Sequence, residues 1–190
     1  FTVQTLSTDT VASQAAGGTW ASGGDLNNAR GQGGGTGTQT AALYFGGDPV
    51  GSNGAYNEEY NGSSWTEKGD LNTGRAGAFS AGASSTSALC SGGATATAVV
   101  ANTELWDGSS WTETTDISVA RYIGSTSNTG TASSAINIGG LLPPGSGTTG
   151  TEEWTGAGAA VGAWSTSNVL NRSRYSLAGV GTQTAALAFG

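Results

Sequence analysis

Side chains able to do acid–base or nucleophilic chemistry are few in this chain, and their placement is the first clue to its nature. There is no histidine, which removes the commonest general base and metal ligand. Carboxylates stand in adjacent pairs, Glu58-Glu59 and Glu152-Glu153, and a pair of carboxyl groups is what a glycosidase uses. Both pairs fall at one position of a repeat that also contains Glu104. They read as structural, pairing with arginines or with backbone amides between strands. A calcium loop needs closely alternating Asp ligands, and no Asp-x-Asp-x-Asp-Gly string occurs. Cys90 is the single cysteine, so no internal disulfide forms and the residue reads as a small buried hydrophobe. Asn61-Gly-Ser63 and Asn171-Arg-Ser173 fit the glycosylation pattern but read as a turn and a loop. No catalytic, cofactor-binding or metal-binding residue is expected.

Charge excludes further classes. Six Lys and Arg against thirteen Asp and Glu give a net charge of −7, the opposite of a phosphate-binding footprint, so no nucleic-acid partner is expected. No apolar run approaches the roughly 18 residues of a membrane helix, so no membrane insertion is expected. The length of 190 residues suits one domain, 1–190. A background of 34 Gly with abundant Ser, Thr and Ala would by itself suggest a low-complexity chain. The aromatics argue otherwise, because they recur in register.

Two copies of the repeat are clearest, Trp65 to Gly93 and Trp111 to Gly140. Each opens Trp-Thr-Glu, with Asp five residues on (Asp70, Asp116), then Leu71 or Ile117, then an Arg at ten residues (Arg75, Arg121) and a strand ending in Gly92-Gly93 or Gly139-Gly140. Trp20 leads Asp25, Leu26, Arg30 and Gly46-Gly47 at the same spacing; Trp164 leads Val169 in place of Asp, then Leu170, Arg174 and Gly190. Four of the six basic residues thus share one repeat position. The other half of the repeat is equally regular, with Glu58 to Trp65 matching Glu104 to Trp111 and a third copy starting at Glu152. Asn61-Gly62 and Asp107-Gly108 predict tight type I′ hairpin turns. The short apolar runs 41–45 and 185–189 suit central strands buried on both faces. Nothing has helical periodicity.

An aromatic preceded two residues earlier by Glu, then a turn, Trp-Thr, an apolar residue, Arg and Gly-Gly resembles the kelch repeat, over essentially the whole chain. Its Gly/Thr/Ala-rich wording is similar to kelch-like repeats of phage and environmental viral proteins. The resemblance implies an all-β β-propeller of four blades, each a four-stranded sheet, at approximately 20–64, 65–110, 111–163, and 164–190 with 1–19. Kelch-type copper oxidases depend on His, so the resemblance does not extend to catalysis. The Asp107-Gly-Ser-Ser-Trp111 string resembles the Asp-box turn of sialidases, but with Asp and Gly adjacent rather than spaced by one.

The Trp intervals are 45, 46 and 53 residues, and joining the two ends leaves 46 from Trp164 to Trp20. A ring closed by pairing N- and C-terminal strands is therefore expected, with Thr10–Ala16 as the outer strand of the last blade, since closure removes exposed edges. Trp20, Trp65, Trp111 and Trp164 should fill gaps between blades, and Arg30, Arg75, Arg121 and Arg174 should be buried and paired. The expected function is a non-enzymatic structural or interaction module, such as a virion or cell-surface appendage component, extracellular or virion-associated. The alternative is a carbohydrate-binding, lectin-like propeller. Partners are then a protein or carbohydrate surface, or a second copy of the chain. The loops after each Gly-Gly, Asp48–Tyr56, Ala94–Ala101 and Leu141–Thr151, are where contact is expected.

Overall fold

A computed structural model describes residues 19–49, 54–127, 130–156 and 163–189. Among these the chain is all-β, with no helix. Three antiparallel four-stranded sheets and a two-stranded one follow in chain order. The first sheet contains β1 (Gly34–Thr38), β2 (Ala41–Phe45), β3 (Asn57–Tyr60) and β4 (Trp65–Glu67), neighbours in that order. The second repeats it with β5 (Phe79–Ser84), β6 (Ser87–Ser91), β7 (Thr103–Trp106) and β8 (Trp111–Thr114). The third has β9 (Ser125–Thr126) and β10 (Ser134–Ile138), then a small side hairpin, β11 (Leu141–Leu142) with β12 (Ser146–Gly147), before β13 (Thr151–Thr155) and β14 (Ala163–Thr166). The fourth is β15 (Ala178–Thr182) with β16 (Ala185–Phe189).

Sheet boundaries do not fall where the repeat boundaries were placed. Trp65, Trp111 and Trp164 do not open new units; each lies on the last strand of the sheet already begun. The reason is cross-strand stacking, which ties each Trp to an aromatic on the preceding strand. Tyr60 pairs with Trp65, Trp106 with Trp111 and Trp154 with Trp164, at ring separations of 5.0, 5.5 and 5.3 Å.

The hairpins at Asn61-Gly62 and Asp107-Gly108 are also not two-residue type I′ turns. Four residues lie between the paired aromatics, and only the Gly of each has positive φ, 94° and 97°. The side chain at the first loop position makes the turn. Asn61 Oδ1 accepts the N–H groups of Ser63 and Ser64 (both 3.0 Å), and Asp107 Oδ1 those of Ser109 and Ser110 (both 2.8 Å).

Apolar cores lie between successive sheets. Leu43 and Phe45 of the first sheet meet Ala88, Trp106 and Trp111 of the second, with Phe45 edge-on to Trp111 at 4.7 Å. Ala81 and Leu89 meet Ala135, Trp154 and Trp164 of the third. Ile136 and Ile138 meet Leu177, Leu170 and Ala188. The Gly-Gly pairs allow this closeness. Gly46, Gly92 and Gly139 have φ of 68°, 60° and 62°, and a Cβ on any of them would come within 2.6–2.9 Å of the next repeat's Arg carbonyl. The second Gly of each pair donates to that same carbonyl: Gly47 to Arg75 (2.9 Å), Gly93 to Arg121 (2.9 Å) and Gly140 to Arg174 (3.1 Å).

Neither run expected to be buried on both faces is so buried: in β2 Ala42 and Tyr44 are half-buried beside the buried Leu43 and Phe45, and β16 is less buried still. Leu187 and Phe189 of β16 are exposed, although their equivalents Leu43 and Phe45 are each 1% exposed. No core cluster of the described residues covers that face of the fourth sheet. The expected outer strand at Thr10–Ala16 lies outside the described residues, as does Gly190.

Candidate functional site

The ionisable groups that first suggest chemistry are consumed inside the sheets. Arg75 and Glu104 both have fully buried side chains and meet at 2.6 Å. Arg75 also donates to the carbonyls of Thr73 (2.9 Å) and Cys90 (3.3 Å). The other Glu104 oxygen accepts the backbone and side-chain N–H groups of Asn72 (2.8 and 2.9 Å), and Asn72 Nδ2 donates to Trp111 O. One carboxylate thus ties the stretch between β4 and β5 to β7 and β8. Arg30, Glu58, Asn27 and the carbonyl of Trp65 repeat the arrangement. Burial would raise the Glu58 carboxyl, but hydrogen bonds from Arg30 and Asn27 outweigh it and hold the group below its ordinary value. Arg121 meets Glu152 at 2.7 Å, with Ser118 N–H in the place of Asn72.

Arg174 departs from this pattern. Its backbone joins the sheets, accepting from Gly140 and pairing with Thr148, but the residue is exposed. Trp20 departs too. Trp111 is buried and Trp65 and Trp164 are half-buried, whereas Trp20 is fully exposed and outside any described strand. The position five before it, aromatic before Trp65 and Trp111, is Ala15, so no ring stands at that place for it to stack on.

Adjacent carboxylates do not converge. Glu58 is buried against Arg30, while Glu59, its neighbour on β3, faces the other way and pairs with Lys68 at 2.9 Å on the surface. Among the described residues no group of three or more His, Cys, Asp or Glu is placed to hold a metal ion. Cys90 is fully buried, and burial pushes its thiol up, away from a reactive thiolate.

What the fold assembles is a recessed surface at the loop end. Gln32, Gly77, Ile123 and Ser176 each stand twelve residues after their repeat's Trp. All four have positive φ, between 52° and 61°. They form a chain of backbone hydrogen bonds: Gly77 N–H to Gln32 O, Ile123 to Gly77 and Ser176 to Ile123, each 2.8 Å. These residues, each with its successor, line a depression of about 460 Å³. Three of the four are not glycine, and residue type gave no signal of their backbone; Ile123 in particular is β-branched and strained there.

Beside it, Gln32, Asp48, Pro49, Thr95 and Tyr122 line a second cavity of about 430 Å³. Tyr122 and Tyr175 both directly follow a repeat Arg. The first is half-buried in that cavity and the second is 57% exposed. Of the loops expected to make contact, residues 48–49 and 94–96 line this cavity, while residues 141–147 form the side hairpin. No protein-family model and no curated protein matches the chain. The fold by itself defines an all-β repeat protein of antiparallel sheets.

Proposed function

We propose that the chain is a four-bladed, kelch-like propeller acting as a non-enzymatic interaction or structural module in a virion or cell-surface setting. The observation that carries this reading is the 460 Å³ depression, lined by equivalent pairs from all four repeats. Four units contributing the same backbone position to one recess is what blades set about an axis would give, and this supports the reading. The buried Arg–Glu pairs support a scaffold, because their charges hold strands together and leave the loop end as the surface available to a partner.

Carbohydrate binding is the second reading, favoured by Tyr122 and Tyr175 at one repeat position near that recess. Phenol rings offer an apolar face and a hydrogen-bonding tip, and Asp48 and Gln32 supply polar groups alongside Tyr122. A glycan array combined with a particle-size measurement separates the two readings. Glycan signal that is lost in Tyr122→Ala and Tyr175→Ala supports the lectin. A blank array with defined assembly or protein capture supports the structural module. Detection of a reproducible turnover activity would overturn both.

A further inference from the structure

Two of the three junctions between successive sheets are sealed by an aromatic pair from the outer strands of the later sheet. Trp106 and Trp111 cover the first sheet, and Trp154 and Trp164 the second. The third junction has no such pair among the described residues. It holds instead a cavity of about 430 Å³ whose wall is half apolar, from Ile136, Ile138, Val169, Leu170, Ala186 and Ala188, and half polar, with Glu153 and Gln183 among its side chains. The chain also carries one tryptophan that nothing covers, Trp20.

The geometry points to Trp20 as the ring that fills this cavity, within the same chain, as the outer-strand tryptophan of the fourth sheet. The inference rests on the four-bladed reading and names the residue and the surface that complete it. Reach supports it. Trp20 precedes β1 by fourteen residues, as Trp65 precedes β5, Trp111 β9 and Trp164 β15. The connecting stretch already runs as its equivalents do: Gly24 lies against Ser63 as Gly69 lies against Ser109, and Asn27 caps Glu58 as Asn72 caps Glu104. Polar matching supports it as well. Trp164 Nε1–H donates to Thr103 Oγ1 at 3.3 Å, and the equivalent of Thr103 in the third sheet is Thr151, which lies in the cavity wall. A docked indole therefore meets both the apolar half of the wall and an acceptor for its N–H. Val169, 61% exposed at the cavity, loses its exposure in the same step.

The test is ¹⁹F NMR of the full chain labelled with 5-fluorotryptophan, with a soluble gadolinium chelate as the probe of exposure. Trp20→Phe removes one line and so assigns it; Trp111→Phe assigns a buried reference. The expected result is a Trp20 line broadened by the chelate no more than that of Trp111, and shifted by Thr151→Val. A Trp20 line broadened far beyond the Trp111 line overturns the proposal. Should Trp20→Phe fail to fold, a nitroxide on Asn168→Cys, at the cavity rim, reports without it. The nearby Trp164 and the Trp154 stacked on it lose their lines in any case; loss of a further line that the chelate spares supports docking, and loss of no further line overturns it. Light scattering on the same samples must give a monomer, since protection found only in a dimer overturns docking within one chain. Small-angle scattering separates the two levels: a compact ring with Trp20 exposed sinks only the docking, and an extended arc sinks the four-bladed reading.

Discussion

An arginine removed from water needs a counter-charge and hydrogen bonds for its remaining donors; Arg75 has the first in Glu104 and most of the second in the carbonyls of Thr73 and Cys90, with its buried Nε–H left without a partner. Arg75→Ala leaves the Glu104 carboxylate buried and unpaired, which is expected to lower stability by about 3–5 kcal/mol. Replacing both members, Arg75→Met with Glu104→Leu, should recover a large part of that loss, and urea unfolding of the three variants checks the order. Asp107 gives a prediction in pH. Hydrogen bonds from the Ser110 N–H and from the hydroxyl and N–H of Ser109 hold its carboxyl down to about 2, from an ordinary 3.8. The folded chain thus binds that proton later than the unfolded chain does. The stabilisation is complete above about pH 4 and is lost as pH falls towards 2. Asn61 makes the same turn without a charge. Asp107→Asn should therefore keep near-neutral stability and flatten the acid side of the urea midpoint against pH.

At the scale of the elements, the joint between sheets is a pair of glycines, and the two reasons for glycine can be separated. At Gly92 the backbone is left-handed and a Cβ would sit 2.6 Å from Arg121 O. Left-handed backbone alone costs an alanine about 1–2 kcal/mol. The clash also pushes away the carbonyl that accepts from Gly93, so Gly92→Ala should lose more than that. Gly31→Ala, where a Cβ meets nothing within 4 Å, should stay within about 0.5 kcal/mol; thermal unfolding compares the two. These joints were legible in the sequence because Gly-Gly, Arg and Trp each keep their type along with their place. The turns at Asn61-Gly62 and Asp107-Gly108 were legible as turns, but their four-residue length was not. Nor was the assignment of each Trp to a sheet, since a linear repeat has no marked start and stacking on Tyr60, Trp106 and Trp154 decides it. The recess at Gln32, Gly77, Ile123 and Ser176 was illegible for the opposite reason: a constant backbone shape is filled by four different residues.

At the scale of the whole molecule, the question is whether the fourth sheet meets the first. Its outward face carries Leu187 and Phe189, the equivalents of Leu43 and Phe45. The first sheet offers toward an incoming neighbour Ala42, Tyr44, Tyr60 and Trp65, all half-buried. Their equivalents Ala88, Cys90, Trp106 and Trp111 are buried against Leu43 and Phe45. Each face therefore has the composition that the first junction uses on the opposite side, and exposed apolar surface of this kind is stabilised by burial. The ring predicts that the two faces join, and that Leu187 behaves as a core residue. Leu187→Ala should then lose about 2–5 kcal/mol, as Leu43→Ala should. In an open arc Leu187 remains 63% exposed, and its truncation changes stability by no more than about 0.5 kcal/mol. Urea unfolding of both variants, repeated over a range of protein concentrations, reads the difference. Equal losses independent of concentration mean that the faces meet within one chain. A loss for Leu187→Ala that grows with concentration means that they meet between copies, and the closed monomeric ring is then wrong.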